Sequence, residues 1–402
     1  MQKVITGIES AVENTFPYLN SARVGVLSNQ ASVDTRGNHL VDLLKQCGHC
    51  QLTKLFAPEH GYAGNAQDMV TIRDETDKET GIEIVSMYGD TIESLSPTQE
   101  DFENVDVLVI DLPNIGTRYY TFAQTMAYCM KAAGQAGVKV IVLDRPNPIG
   151  GLQIEGSPLQ NDFRSFCGIG PIANRHGMTL GELATMFHQG LGEGEAAIEP
   201  HPCELEIIPI TGWRRQHYLD ETSIPWVKPS PNMGSLNAAI LYPGTCLFEA
   251  THLSEGRGTD EPFLNIGAPF ANPSKWLDAL HSTGISTEGV RLQPTTFTPA
   301  FQKQAGLLCQ GLRIEIENRN KLQPYRLGIA LLIAASRAFP KKFQWRDDPY
   351  EFIKDVPAVD LLYGSSTLRE VTEGKKTVQD LLAELERFES WYSAARTAYF
   401  LY

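Results

Sequence analysis

At 402 residues, with 42% apolar and 20% charged side chains, the chain is long enough for two hydrophobic cores and too apolar to be disordered. Its formal net charge of −14 sets it against phosphate backbones, which argues against a nucleic-acid partner, and no run of eighteen apolar residues is present to span a membrane. Seven cysteines, an odd number without a paired framework, point to reduced thiols; the first residues show no signal-peptide pattern, so a cytoplasmic location is expected.

In chain order, the first 160 residues alternate strand and helix patterns. Residues 24–28 form a short apolar run, 39–44 have helical spacing, 52–57 read as a second strand and 82–86 as a third. The fourth, VDVLVID at 105–111, is nearly all apolar, as a strand covered on both faces should be. A helix over 122–136 ends at Gly137 and leads into the fifth strand, 138–144. This alternation predicts a mostly parallel, Rossmann-like sheet with helices on both sides. Thr179 and Glu182 then form a candidate capping box. Beyond about 200 the pattern changes. Strands are expected at 206–210 and 312–317, a loop rich in Pro, Ser and Asn spans 224–237, and helices are expected over 325–338 and 378–395. The expected division is a first domain of 1–210 and a smaller α/β domain of 211–402.

In an open parallel sheet, ligands bind outside the carboxyl ends of the strands, so the polar residues following each strand carry the functional expectation. Asn29 follows the first strand. Glu59 and His60 follow the second, Asp111, Arg118 and Tyr120 the fourth, and Asp144 the fifth. Glycosidic chemistry needs carboxylates, hydroxyl-binding donors and aromatic surface, and this edge offers all three. Glu59, between Pro58 and Gly61, is the candidate general acid; the bland alternative is a charge capping a following helix. Asp111 could serve as base or orienting group and His60 stands beside Glu59, while Asp144 suits sugar hydroxyls; an Asp at a strand end also commonly satisfies loop amides. Arg118 suits a carboxylate partner, in a substrate or within its own domain. A second constellation places Asn232, Glu255, Arg257 and Asp260 on glycine-flexed loops of the C-terminal half. Cys47-Gly48-His49-Cys50 has no second pair, so no metal site is expected, and GxSxG, Walker A and GxGxxG patterns are absent.

Together, LFAPEHGYAG (55–64), DLPNIGTRYYTF (111–122), DRPNPIGG (144–151), EGSPL (155–159), HGMTLGELA (176–184), WVKPSPNM (226–233), LYPGTCLFEATHLSEGRGTDEPF (241–263) and LLYGSSTLRE (361–370) resemble the exo-β-N-acetylmuramidase family, in its order and over essentially the whole chain. The resemblance implies a Rossmann-like domain, a smaller C-terminal domain and an active site in the cleft between them. It also implies release of N-acetylmuramic acid from the non-reducing ends of peptidoglycan-derived disaccharides or muropeptides, with no metal or organic cofactor. In this family the glutamate of the EHG motif, here Glu59, is the proposed acid. The lactyl carboxylate of muramic acid should require a cation such as Arg118 or Arg257. Two other readings stand beside this one: a glycosidase for another N-acetylated sugar, and a non-catalytic binder of cell-wall sugars. The absence of a signal would suit intracellular recycling of muropeptide fragments.

Overall fold

The computed structural model describes residues 2–14, 16–194 and 196–402. Its larger sheet contains β1 (Arg23–Ser28), β2 (Gln51–Ala57), β3 (Glu75–Thr76), β4 (Glu83–Ser86), β5 (Val107–Asp111), β6 (Lys139–Leu143) and β7 (Leu205–Ile208), in the order β3-β4-β2-β1-β5-β6-β7. All neighbours are parallel except β3 with β4. Every residue of β5 is buried, consistent with its apolar sequence and a sheet covered on both faces. The expected strand at 206–210 is β7, which pairs with β6 and extends the first sheet past residue 200.

Three helices complete this layer: α1 (Gly7–Glu13), α2 (Leu40–Cys47) and α3 (Phe122–Ala136). A fourth, α4 (Leu180–Gln189), opens with the expected capping box: the Thr179 hydroxyl accepts from Glu182 N–H, and the Glu182 carboxylate accepts from Thr179 N–H at 3.0 Å. Residues beyond 210 still belong with this layer, because Ile5 pairs with Thr211 and Gln2 with Thr222.

The second, smaller region is built on an antiparallel sheet ordered β8-β10-β9, from β8 (Asn265–Ala268), β9 (Val290–Phe297) and β10 (Cys309–Ile316). Helices α5 (Leu236–Thr245), α6 (Pro273–His281) and α7 (Pro324–Ala338) pack together beside it. Here α5 and α7 approach backbone to backbone: a Cβ on Gly328 would lie 2.2 Å from the Gly244 carbonyl oxygen, so only glycine fits. Short helices α8 (Ala358–Tyr363) and α9 (Thr367–Thr372) precede α10 (Val378–Ala395). The chain end then returns to the first sheet, where the Tyr402 hydroxyl donates to Asp144 at 2.8 Å and accepts from Ile210 N–H at 2.8 Å. One hydrophobic core runs through both regions, from Leu108 and Val140 to Tyr242 and Ala330, and holds the loops between them in place. No described helix is long and apolar enough to cross a membrane.

Candidate active site

A partly enclosed cavity lies where the loop after β2, the start of α3 and the loops of the second region meet. Glu59 enters it directly after β2. Its turn closes with Gly61 N–H donating to the Pro58 carbonyl at 3.0 Å. His60 takes a left-handed φ of 72°, pinned by its own Nδ1–H donating to the Ala66 carbonyl at 2.9 Å. The Glu59 carboxylate is 6% exposed; Thr121, the residue capping α3, donates its hydroxyl to Oε2 at 2.7 Å, and Met69 N–H approaches Oε1 at 3.4 Å. A carboxyl held this way is buried yet fixed in direction, as a general acid requires.

The opposite wall comes from the second region. Arg257 sits on the glycine-flexed loop and draws three carboxylates to itself: Glu249 at 2.8 Å, Glu255 at 2.9 Å and Asp68 at 3.3 Å. Its guanidinium also lies over the Phe263 ring, 4.9 Å from the centroid. Burial lowers its proton affinity, and the three carboxylates outweigh that, so it stays charged. The aromatic lining is built by Tyr242, edge-on to Tyr120 with ring centroids 5.9 Å apart and edge-on to Phe263 at 4.8 Å. Asn232 completes this wall, its amide donating to Gln67 at 2.8 Å. The Tyr120 hydroxyl is buried beside Ser230.

Two more carboxylates in this cavity had no sequence signal of their own. Glu249 lies inside the 241–263 motif, one turn after α5, and accepts from the Tyr350 hydroxyl at 2.6 Å. Glu351 follows Tyr350 and accepts from the Tyr88 hydroxyl at 2.9 Å. Burial first, then the charge of Glu59, pushes the Glu351 carboxyl well above the usual carboxylate range. Asp348-Pro349 marks a turn, but Tyr350-Glu351-Phe352 carries no glycine or asparagine to signal positive φ values, so nothing in its composition aims a glutamate into a site.

Of the residues expected from the sequence, Glu59, His60, Tyr120, Asn232 and Arg257 come together here. The other six do not line this cavity. Asp111 is wholly buried and clamped by Arg145, which also donates to its Oδ2 at 2.7 Å, so both oxygens are consumed and no base remains. Asp144 accepts from Thr179 at 2.7 Å, Gly181 N–H at 2.7 Å, Arg145 N–H at 2.9 Å and Tyr402, and ties α4 and the chain end to β6 rather than binding a sugar. Burial raises its pKa to about 6 against the pull of those donors. Arg118 spends its guanidinium on four carbonyls, those of Ser157, Ile172, Leu362 and Tyr363, at 2.9–3.2 Å. Asn29 donates to the Pro229 carbonyl at 3.1 Å and so staples the first sheet to the 224–237 loop. Glu255 stands on the far side of Arg257, 2.6 Å from Lys303, and Asp260 is exposed.

A second cavity opens at the carboxyl ends of β1, β5 and β6 and is lined by Pro113, Pro146, Pro148 and Trp226. This is the crevice where an open α/β sheet ordinarily binds its ligand. It is mostly apolar, and its carboxylate chemistry is confined to Asp34, whose pKa is lowered by donors from Asn38 and Arg36 against the opposing effect of burial. The Glu59 cavity, by contrast, gathers four carboxylates, Glu59, Asp68, Glu249 and Glu351.

Known proteins agree with this architecture. The N-terminal model of exo-beta-N-acetylmuramidase NamZ matches residues 24–237, and the C-terminal model of the same family matches 240–402. The chain belongs to the exo-β-N-acetylmuramidase family. It is a glycoside hydrolase. A peptidoglycan beta-N-acetylmuramidase from Bacillus subtilis is 36% identical over 400 residues, covering 100% of this chain and 92% of that protein. Two crystal structures of DUF1343 family proteins from Bacteroides fragilis share the fold, each 28% identical and covering 100% of this chain and 99% of the other. Their TM-scores are 0.87 and 0.73. The family models divide the chain between 237 and 240, within the first turns of α5.

Proposed function

We propose that this protein hydrolyses the β-glycosidic bond that links N-acetylmuramic acid to the rest of a peptidoglycan fragment, acting from the non-reducing end, with Glu59 as the proton donor. The observation that carries this reading is the placement of Glu59. Among the strand-end carboxylates expected from the sequence it is the one that lines this cavity, it is oriented by Thr121, and it faces a wall of further carboxylates and aromatic rings. A partly enclosed cavity suits a terminal sugar better than the middle of a polymer. Arg257 is the arginine of the two expected ones that lines this cavity, so the lactyl carboxylate is assigned to it. Asp68, Glu249 and Glu255 compete for the same guanidinium, so a bound carboxylate must displace part of their hold.

The test is a pair of chromogenic substrates, aryl β-N-acetylmuraminide and aryl β-N-acetylglucosaminide, which differ by the lactyl group. The reading predicts turnover of the muraminide at least tenfold faster, because a desolvated charge-assisted pair contributes about 1.5–3 kcal/mol. Equal rates, or a preference for the glucosaminide, would assign the scaffold to another N-acetylated sugar.

A further inference from the structure

Three of the carboxylates lining the cavity are matched by donors. Asp68 and Glu249 face Arg257, and Glu59 accepts from Thr121 and Met69 N–H. Glu351 is different. It is 5% exposed, forms no ion pair among the described residues, and takes one hydrogen bond, from Tyr88 to Oε2. Its backbone is held at φ 45° and that of Phe352 at 68°, in a turn closed by reciprocal hydrogen bonds of 3.0 and 2.9 Å between Tyr350 and Ile353. Turns with two positive φ values ordinarily use Asn-Gly. Two residues with side chains persist in this conformation only where the surroundings impose it, as happens at functional sites.

The groups facing Glu351 are mostly anionic. Glu59, Glu249 and Asp68 all bear on it with negative charge. Arg257, which lines the cavity as a cation, is already shared among carboxylates, and the His60 ring has its Nδ1 committed to a carbonyl. The Tyr88 and Tyr350 hydroxyls and the Cys167 thiol complete the surroundings, and burial raises the pKa of all three.

We propose that Glu351 and Glu59 share a single proton, and that Glu351 is the positioning partner that keeps this proton in the cavity for Glu59 to deliver. The inference rests on the reading of Glu59 as donor. Over one turnover the glycosidic C1–O bond breaks as its oxygen takes one proton from the pair. The oxygen of a water molecule ends bonded to C1, and one proton of that water returns to the pair. The pair begins and ends with one proton and one negative charge, and no further reactant is needed.

The experiment is the pH dependence of kcat/KM on the aryl muraminide for wild type, Glu351→Gln and Tyr88→Phe. The alkaline limb of the wild-type profile reports loss of the shared proton. Glu351→Gln removes the like charge that faces Glu59, so this limb should move to lower pH by about one unit or more. Tyr88→Phe removes the donor that favours the charged form of Glu351, so the limb should move the other way, to higher pH. A group with a merely structural role would move neither limb. An unmoved limb in both folded variants, or shifts of the opposite sign, overturns the inference. If Glu351→Gln does not fold, Tyr88→Phe decides alone: an upward shift supports the pair, and an unmoved limb refutes it. Failure of the wild type to cleave the muraminide would overturn the reading of the substrate itself, and is seen before any shift is measured.

Discussion

The carboxyl edge of the sheet and the cavity at the seam between the two regions use the same residue types to opposite ends. At the sheet edge, Asp111 and Asp144 are fully buried and every oxygen is taken, by Arg145 in one case and by two hydroxyls and two backbone amides in the other. Arg118 gives both terminal nitrogens of its guanidinium to carbonyls. At the seam, Glu59, Asp68, Glu249 and Glu351 line one cavity with Arg257, which pairs with Asp68 and Glu249, and Glu351 forms no ion pair among the described residues. Completed hydrogen bonding makes a buried charge part of the scaffold; incomplete pairing leaves capacity for a substrate and for a proton that moves.

Unpairing the sheet edge should have the largest effect on stability. Arg145→Met leaves Asp111 as an uncompensated buried charge, and removing one partner of such a pair costs about 3–5 kcal/mol. Urea denaturation should show a loss of that size, while the folded fraction retains kcat/KM within a few-fold of wild type. A variant of normal stability that has lost its activity would instead place Asp111 in the chemistry.

A smaller effect sharpens the same contrast at Asp144. A carboxyl whose proton affinity rises on folding stabilises the fold at low pH, and that contribution is lost as pH climbs through its folded pKa, here about 6. Between about pH 4 and pH 6.5 the wild type should therefore lose roughly 2–3 kcal/mol of unfolding free energy from this group. Asp144→Asn should flatten that slope, because its amide can donate to the Thr179 and Tyr402 hydroxyls while its oxygen keeps the Gly181 N–H. Denaturation midpoints across this pH range check it, and an unchanged slope in the variant would contradict it.

The fold was legible where periodicity was strong. The strands β1, β2, β4, β5 and β6, the capping box of α4 and the whole of α10 fall where apolar patterning and capping chemistry put them. β9 was not, because its alternating faces are half exposed and interrupted by Pro294. The site was legible in part, and for a physical reason. The strand-end rule finds polar residues that reach the sheet edge, yet it cannot tell a satisfied carboxylate from an unsatisfied one. Glu59 and Asp111 look alike in sequence, and only the arrival of Arg145 at Asp111 separates them. Glu351 lies about three hundred residues from Glu59 and enters the cavity on a strained turn, and no local spacing encodes that meeting.

With Glu59 as donor, the proton for the leaving sugar comes through its carboxyl. Glu59→Gln preserves shape and the hydrogen bond from Thr121 while removing the exchangeable proton. Its release of N-acetylmuramic acid should be measured by mass spectrometry on the disaccharide in which N-acetylmuramic acid is the non-reducing sugar of N-acetylglucosamine. An aryl muraminide with an acidic phenol should be measured beside it. The account predicts a fall of about 10²–10⁴-fold on the disaccharide and a distinctly smaller fall on the aryl glycoside, whose leaving group needs little protonation. A folded Glu59→Gln protein that cleaves the disaccharide within a few-fold of wild type would contradict it.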